Sequence, residues 1–363
     1  MHAIFAIGIA LQAPVLIAPA IACAACRLDR TVLTTLDTNE AARPSALVKV
    51  GRELLLVPDA GAPLPIKRFE IRTGRFLGTV GRQGRGPGEF WWPQFLAAMP
   101  GDSLFVFDYS TLQHSVLAPA TYRYVRGAPV TVSRPSGAVL PGPNGPLWVA
   151  AAVAPPKQVG YPFHLFELDG RWLRSVGAER PFLAWNNHLA FAKRLAVGPN
   201  ATVWAVSRYG PMTIDVFDRS GRRLHAARYA PPWLPELTRP QQVGDPPLPE
   251  RVPIWVKSST ELLVATLVPA VDWQTGIVKA DDPTHGPGTP VVGDISRLFD
   301  TVVEWLDVPN GRVVFRARVD EAVVAILDDG LVALYREGVN GIPLLTIERW
   351  QLRETADAPR RTP

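Results

Sequence analysis

Apolar residues recur along the chain in short runs rich in Val, Leu, Phe, Trp and Tyr, each bounded by Gly, Pro, Asp or Asn. That spacing and punctuation are those of β-strands joined by turns. Grouped in fours, the runs fall into register. The first unit reads ALVKV (46–50), ELLLVP (53–58), IKRFEI (66–71) and RFLGTV (75–80). The second reads FLAAM (95–99), SLFVFD (103–108), HSVLA (114–118) and YRYVR (122–126), and the third GAVLP (137–141), PLWVAA (146–151), FHLFEL (163–168) and RWLRSV (171–176). RLAVG (194–198), TVWAVS (202–207), TIDVFD (213–218) and RRLHAARY (222–229) form the fourth. IWVKS (254–258), ELLVATLV (261–268), TVVEWL (301–306) and RVVFRARV (312–319) form the fifth.

The sixth unit has only AVVAI (322–326), GLVALYR (330–336) and LLTIERWQL (344–352), while TVLTTL (31–36) precedes the first unit without a partner. Placed as the missing outer strand, TVLTTL zips the chain ends together. The pattern therefore predicts an all-β fold, a six-bladed β-propeller of four-stranded antiparallel blades closed by the N-terminal strand. Corresponding strands lie on average about 55 residues apart, longer than ordinary propeller repeats, so the blades carry insertions. Two stacked β-domains are the alternative arrangement.

The amino terminus differs from the rest. Residues 3–25 carry no charge, and the first charged side chain is Arg27. An apolar stretch ending in small residues reads as a secretory leader, while Pro14 and Pro19 speak against a permanent spanning helix. The expected division is a signal peptide or lipoprotein-type leader over 1–26, one propeller over 27–355 and a disordered tail over 356–363. Cys23 and Cys26, the two cysteines of the chain, stand at the junction as lipidation candidates. Their Cys-x-x-Cys spacing also allows a redox pair or half a metal site. With no other cysteine, no disulfide is expected to hold the domain. The expected location is periplasmic or cell-envelope, with membrane contact only through an N-terminal lipid or an uncleaved leader.

Composition narrows the partners. The chain is 47% hydrophobic and 20% charged, with 29 glycines and 37 prolines, which excludes a helical bundle and global disorder. The net charge of +5 is spread out, and 32 of the 38 basic residues are arginine. No concentrated basic stripe marks a nucleic-acid surface, so no nucleic-acid partner is expected.

The segment Gly81-Arg82-Gln83-Gly84-Arg85-Gly86-Pro87-Gly88-Glu89-Phe90 resembles the G-x-G-x-GPGEF signature of exported bacterial six-bladed propellers related to the NHL-repeat group. The units around 103–126 and 202–224 also resemble NHL blades. The resemblance implies a propeller fold and export but no common activity.

Candidate chemistry is sparse. The chain has no nucleophile elbow, zincin motif, Walker loop or EF-hand loop. The Gly84–Gly88 run reads as a tight inter-blade turn, or as an anion-binding nest flanked by Arg82 and Arg85. The innermost runs contain no carboxylate and no histidine, only Lys49, Arg194 and Lys257 as charges. Channel-centred metal catalysis is thus disfavoured, and no cofactor is expected. Histidines in strands are expected to be packed. Loop aromatics are the contact candidates: Trp91, Trp92, Trp185 with Asn186, Asn187 and His188, Trp233 and Trp273. They either plug gaps between blades or form an exposed patch.

Strand order then separates the two faces. All the 1–2 and 3–4 turns are short. The long connections at 81–94, 155–162, 177–193, 230–253 and 269–300 fall on the opposite face. The expected function is an exported, non-enzymatic binding or scaffolding propeller, acting as a monomer. Its long-loop face would engage a protein, glycan or small ligand. A propeller enzyme of the lyase or lactonase kind with a metal-assisted site is the alternative.

Overall fold

A computed structural model describes residues 14–59, 65–142, 145–153, 161–177, 192–234, 245–282, 286–292, 295–327, 329–338 and 342–354. Six sheets, each with four antiparallel strands in sequential order from the axis outward, stand in a ring. Blade 1 runs Pro44–Val50, Glu53–Pro58, Ile66–Glu70 and Phe76–Val80. Blade 6 runs Ala322–Ile326, Leu331–Glu337 and Pro343–Glu354, and Cys26–Thr35 adds its outer strand. The ring is a six-bladed β-propeller closed by the N-terminal strand.

The hydrophobic core is divided rather than central. Six clusters of buried side chains each lie between two neighbouring blades. The second strand of a blade is therefore covered on both faces. Ser103–Asp108 and Thr202–Ser207 are buried along nearly their whole length. That explains why these strands read as unbroken apolar runs instead of alternating ones. Between blades 3 and 4, Trp148, Phe163 and Phe217 fill one slab with ring centroids 5.5–6.2 Å apart.

Two strand boundaries differ from the sequence reading with consequences. The inner strand of blade 5 is Glu250–Val256, not 254–258. Pro253 reads as a strand boundary, yet it is absorbed by a register shift between Arg251 and Ile254, as an edge strand permits. The inner strands thus do include a carboxylate, Glu250, and Lys257 lies beyond the strand end. The closing strand also begins five residues before Thr31, at Cys26. Gly74 is required where it meets blade 1. Its φ is +70°, and a Cβ there would lie 1.9 Å from the carbonyl oxygen of Thr35.

The chain ahead of this strand continues round the outside of the ring. Val15–Leu16 pairs in parallel with the outer strand of blade 4, and Ala18–Ile21 with that of blade 5. Cys23 and Cys26 form a disulfide where the chain passes from blade 5 to blade 6, against the expectation that no disulfide contributes. Its sulfurs are three residues apart in sequence, so it closes a tight turn rather than stapling distant blades. Residues 1–13 and the tail at 356–363 lie outside the described residues. Among the described residues no helix is long and apolar enough to cross a membrane.

His114 and His164 are packed. The His114 ring stacks on Phe105 and lies 3.0 Å from the carbonyl of Leu168, while His164 bonds Ser175 and the carbonyl of Ala151. Burial holds both imidazoles below the ordinary histidine value. The unfolded chain therefore binds more protons, so stability is full above about pH 6.5 and falls as pH drops below it. Melting temperature is expected to decline between pH 7 and 5.5, and less steeply in His114→Phe. Equal slopes in the two proteins would reject this origin.

Candidate functional site at the long-loop mouth

Each inner strand enters the ring at the long-loop face and leaves at the short-turn face. Residues at the starts of these strands, among them Ser45, Gln94, Arg194 and Glu250, line a cavity of about 490 Å³. Ile295 and Phe299 from the connection after blade 5's second strand line it too. That connection is not irregular throughout. It contains a hairpin, Ile277–Asp282 with Gly286–Val292, and a helical turn, Ile295–Leu298.

Charge at this mouth is assembled from distant segments. The Arg194 guanidinium donates 2.8 Å to Glu250 and 3.0 Å to the carbonyl of Arg251. Arg208 donates 2.6 Å to the same Glu250 oxygen, and the Tyr209 hydroxyl reaches the other at 3.3 Å. Arg43 pairs with Asp59 on the opposite wall. Two guanidinium groups thus share one carboxylate. Burial, and next the charge of Arg208, pull Arg194 down to about 10, against the attraction of Glu250. It remains charged at neutral pH, in a place that carries excess positive charge. The Gln94 side-chain oxygen is buried at the same cavity without a hydrogen-bond partner among the described residues.

Of this group only Arg194 was singled out in the sequence. Glu250 was hidden by the misplaced strand boundary. Arg43, Arg208, Asp59 and Gln94 precede or follow strands without any motif. The usable signal was position alone: a polar residue immediately before an inner strand faces the mouth.

The glycine-rich segment forms a closed device against the third and outer strands of blade 2. The Glu89 carboxylate accepts from the Gly86 N–H at 2.9 Å and from Arg82 at 2.7 Å. The Gly86 N–H first, and Arg82 next, hold it below the ordinary carboxylate range. The loop therefore supplies its own anion at the place a nest would offer a foreign one. At Gly84, with φ +156°, an added Cβ would sit 2.0 Å from a Glu89 oxygen and push that carboxylate out of its place. Asp108, missed in the sequence, anchors the end of the segment. One oxygen accepts from the N–H groups of Trp91 and Trp92, the other from those of Ser110 and Thr111.

The anchored tryptophans remain exposed, Trp91 by 41% and Trp92 by 50%. Arg85 lies over the Trp91 ring and Tyr109 meets Trp92 edge-on. Trp233 is half-buried on the outside of blade 5, its indole N–H 3.3 Å from Glu304. Trp273 begins the short 3-10 turn Trp273–Gly276. The structure brings Arg82, Arg85, Trp91 and Trp92 together and leaves Trp233 and Trp273 apart from them. Trp185, Asn186, Asn187 and His188 lie outside the described residues. At the lipidation candidates Cys23 and Cys26, the disulfide engages both sulfurs, so in this form neither is open to acylation.

Solved structures share the fold. A protein of Bacteroides fragilis inferred to be exported aligns with a TM-score of 0.57 and 11% identity, covering 93% of this chain and 98% of its own. A duf4221 family member from Bacteroides vulgatus aligns with a TM-score of 0.50 and 9% identity, covering 91% and 97%. A streptogramin B lyase aligns more loosely, with a TM-score of 0.44 and 10% identity over 90% of this chain and 98% of its own. At such identities the likeness concerns the fold alone. No protein-family model matches the chain. No curated protein matches it either.

Proposed function

We propose that this chain is an exported binding propeller that holds a ligand with an anionic group in the long-loop mouth of its channel. The observation behind this reading is the charge imbalance, two half-buried guanidinium groups against the single Glu250 carboxylate. A bound anion relieves that repulsion and gains charge-assisted hydrogen bonds. The uncharged stretch over 3–25 and the propeller of Bacteroides fragilis inferred to be exported support a periplasmic or cell-envelope location. No cofactor is invoked. Catalysis of the lyase or lactonase kind has less behind it. Among the described residues no three metal-ligating side chains converge.

A second reading has one observation in its favour. Trp91 and Trp92 are exposed on the long-loop face and rigidly anchored by Asp108, as a platform for a glycan or a protein partner would be.

The test of the first reading uses inorganic phosphate, butyrate and citrate as probes. At least one is expected to raise the melting temperature of the protein, and the double variant R194Q/R208Q to lose that rise. The rise should persist from pH 6 to 9. If no probe shifts the melting of the folded protein, the anion-accepting mouth is rejected.

A further inference from the structure

The long-loop cavity is only half of the axial space. A second cavity of about 1020 Å³ lies at the short-turn end. Leu47, Leu96, Leu140, Leu195, Ile254 and Ile326, one residue from each inner strand, line both cavities. The two spaces therefore meet at an aliphatic belt contributed by all six blades.

Their chemistry is opposite. The charged groups of the first cavity are the arginines and carboxylates of the mouth. The second is walled by side chains such as Met99, Pro141, Val197, Trp255 and Leu327. Its charged side chains are Lys49, neutralised by an ion pair with Asp329, and Arg126, exposed on the outer strand of blade 2. An anionic head finds its guanidinium partners in the first cavity, and an apolar chain finds its broadest apolar walls in the second.

We infer that the channel takes a single-chain anionic amphiphile. A carboxylate or phosphate head sits among Arg43, Arg194 and Arg208, and the alkyl chain threads the belt into the short-turn cavity. The inference rests on the binding reading above and names the ligand class for that site. The depth sets the chain length. From Gln94 at the mouth to Met99 beside the second cavity, the inner strand of blade 2 descends about 17 Å. A short-chain acid ends before the belt; a long-chain one fills both spaces. Each methylene that leaves water for such a surface raises affinity about fourfold.

The experiment is a chain-length series on the full protein: butyrate, octanoate, laurate and palmitate, with lysophosphatidylglycerol as the lysolipid arm. Affinity is expected to climb at least about a hundredfold from octanoate to palmitate. I326W, which narrows the belt, should flatten the series, and R194Q/R208Q should weaken every member. Tight binding of lysophosphatidylglycerol with the same I326W sensitivity supports the inference and assigns the head to a phosphate.

Should I326W fail to fold, a spin-labelled stearate gives an independent reading in the wild-type protein. A nitroxide at the chain end should quench tryptophan fluorescence, and W255F should remove that quenching. A nitroxide near the carboxylate should spare Trp255. Arg-dependent butyrate binding with palmitate no tighter overturns this inference and leaves the anion-binding reading intact. Binding of neither overturns both. Palmitate binding indifferent to I326W and to the arginine pair is surface adsorption and overturns the inference as well.

Discussion

Asp108→Ala is expected to destabilise the protein by about 3–5 kcal/mol, because it strips partners from four backbone N–H groups at once. The residue is 3% exposed, so water cannot replace the carboxylate cheaply. Buried donors left without an acceptor each cost roughly 1–3 kcal/mol, and some relaxation at Ser110 and Thr111 keeps the total below their sum. For a chain of 363 residues the loss corresponds to a fall of roughly 4–7 °C in melting temperature. Asp108→Asn should recover little, since the amide NH2 turns a donor towards one pair of N–H groups. Hydrogen exchange offers the local check: the amides of Trp91 and Trp92 should lose protection while 103–107 keep theirs. A melting temperature within about 1 °C of wild type would show that the anchor contributes little. The substitution would also release the Trp91–Trp92 platform, linking a buried carboxylate to the face on which binding is proposed.

The blades were legible because each second strand is sandwiched and reads as a solid apolar run, ELLLVP or TVWAVS. The closure was legible for a different reason: TVLTTL had no partner and blade 6 lacked a strand. What stayed hidden depends on tertiary placement. Pro253 carries a strand signal of the wrong sign, and a bulge overrides it. Its override moves Glu250 from a loop into the channel wall. Arg43 precedes blade 1 while Arg194 and Arg208 belong to blade 4, and no spacing in the chain connects the two places. The path of residues 15–21 along blades 4 and 5 was equally illegible, since an uncharged segment reads the same way as a leader and as an edge strand.

Ring closure rests on more than the backbone ladder, and Glu348→Gln measures the difference. Arg30 of the closing strand donates to Glu348 at 2.8 and 3.1 Å and to Glu321 at 3.0 Å through two nitrogens. The Trp350 indole N–H completes the cage of Glu348 at 2.8 Å, and Arg30 lies over the same ring. Burial alone would push the Glu348 carboxyl up, but hydrogen bonds from Arg30 and Trp350 outweigh it and hold the group below the ordinary carboxylate range. The folded-state value is thus depressed, so the stabilisation is fully present above the ordinary value of about 4.3 and is lost as pH falls through the folded one. At pH 7, Glu348→Gln removes a charged acceptor from Arg30 in a site only 3% exposed, and should cost about 2–4 kcal/mol. At pH 3, below the ordinary carboxylate value, part of this stabilisation is lost, and the gap between the two proteins should be smaller than at pH 7. Arg30→Met should cost more at pH 7, since it leaves Glu348 buried with its charge uncompensated. Denaturant melts of wild type, E348Q and R30M at the two pH values decide the matter. If E348Q loses as much stability at pH 3 as at pH 7, the ladder between Cys26–Thr35 and Pro343–Glu354 closes the ring without help from charge.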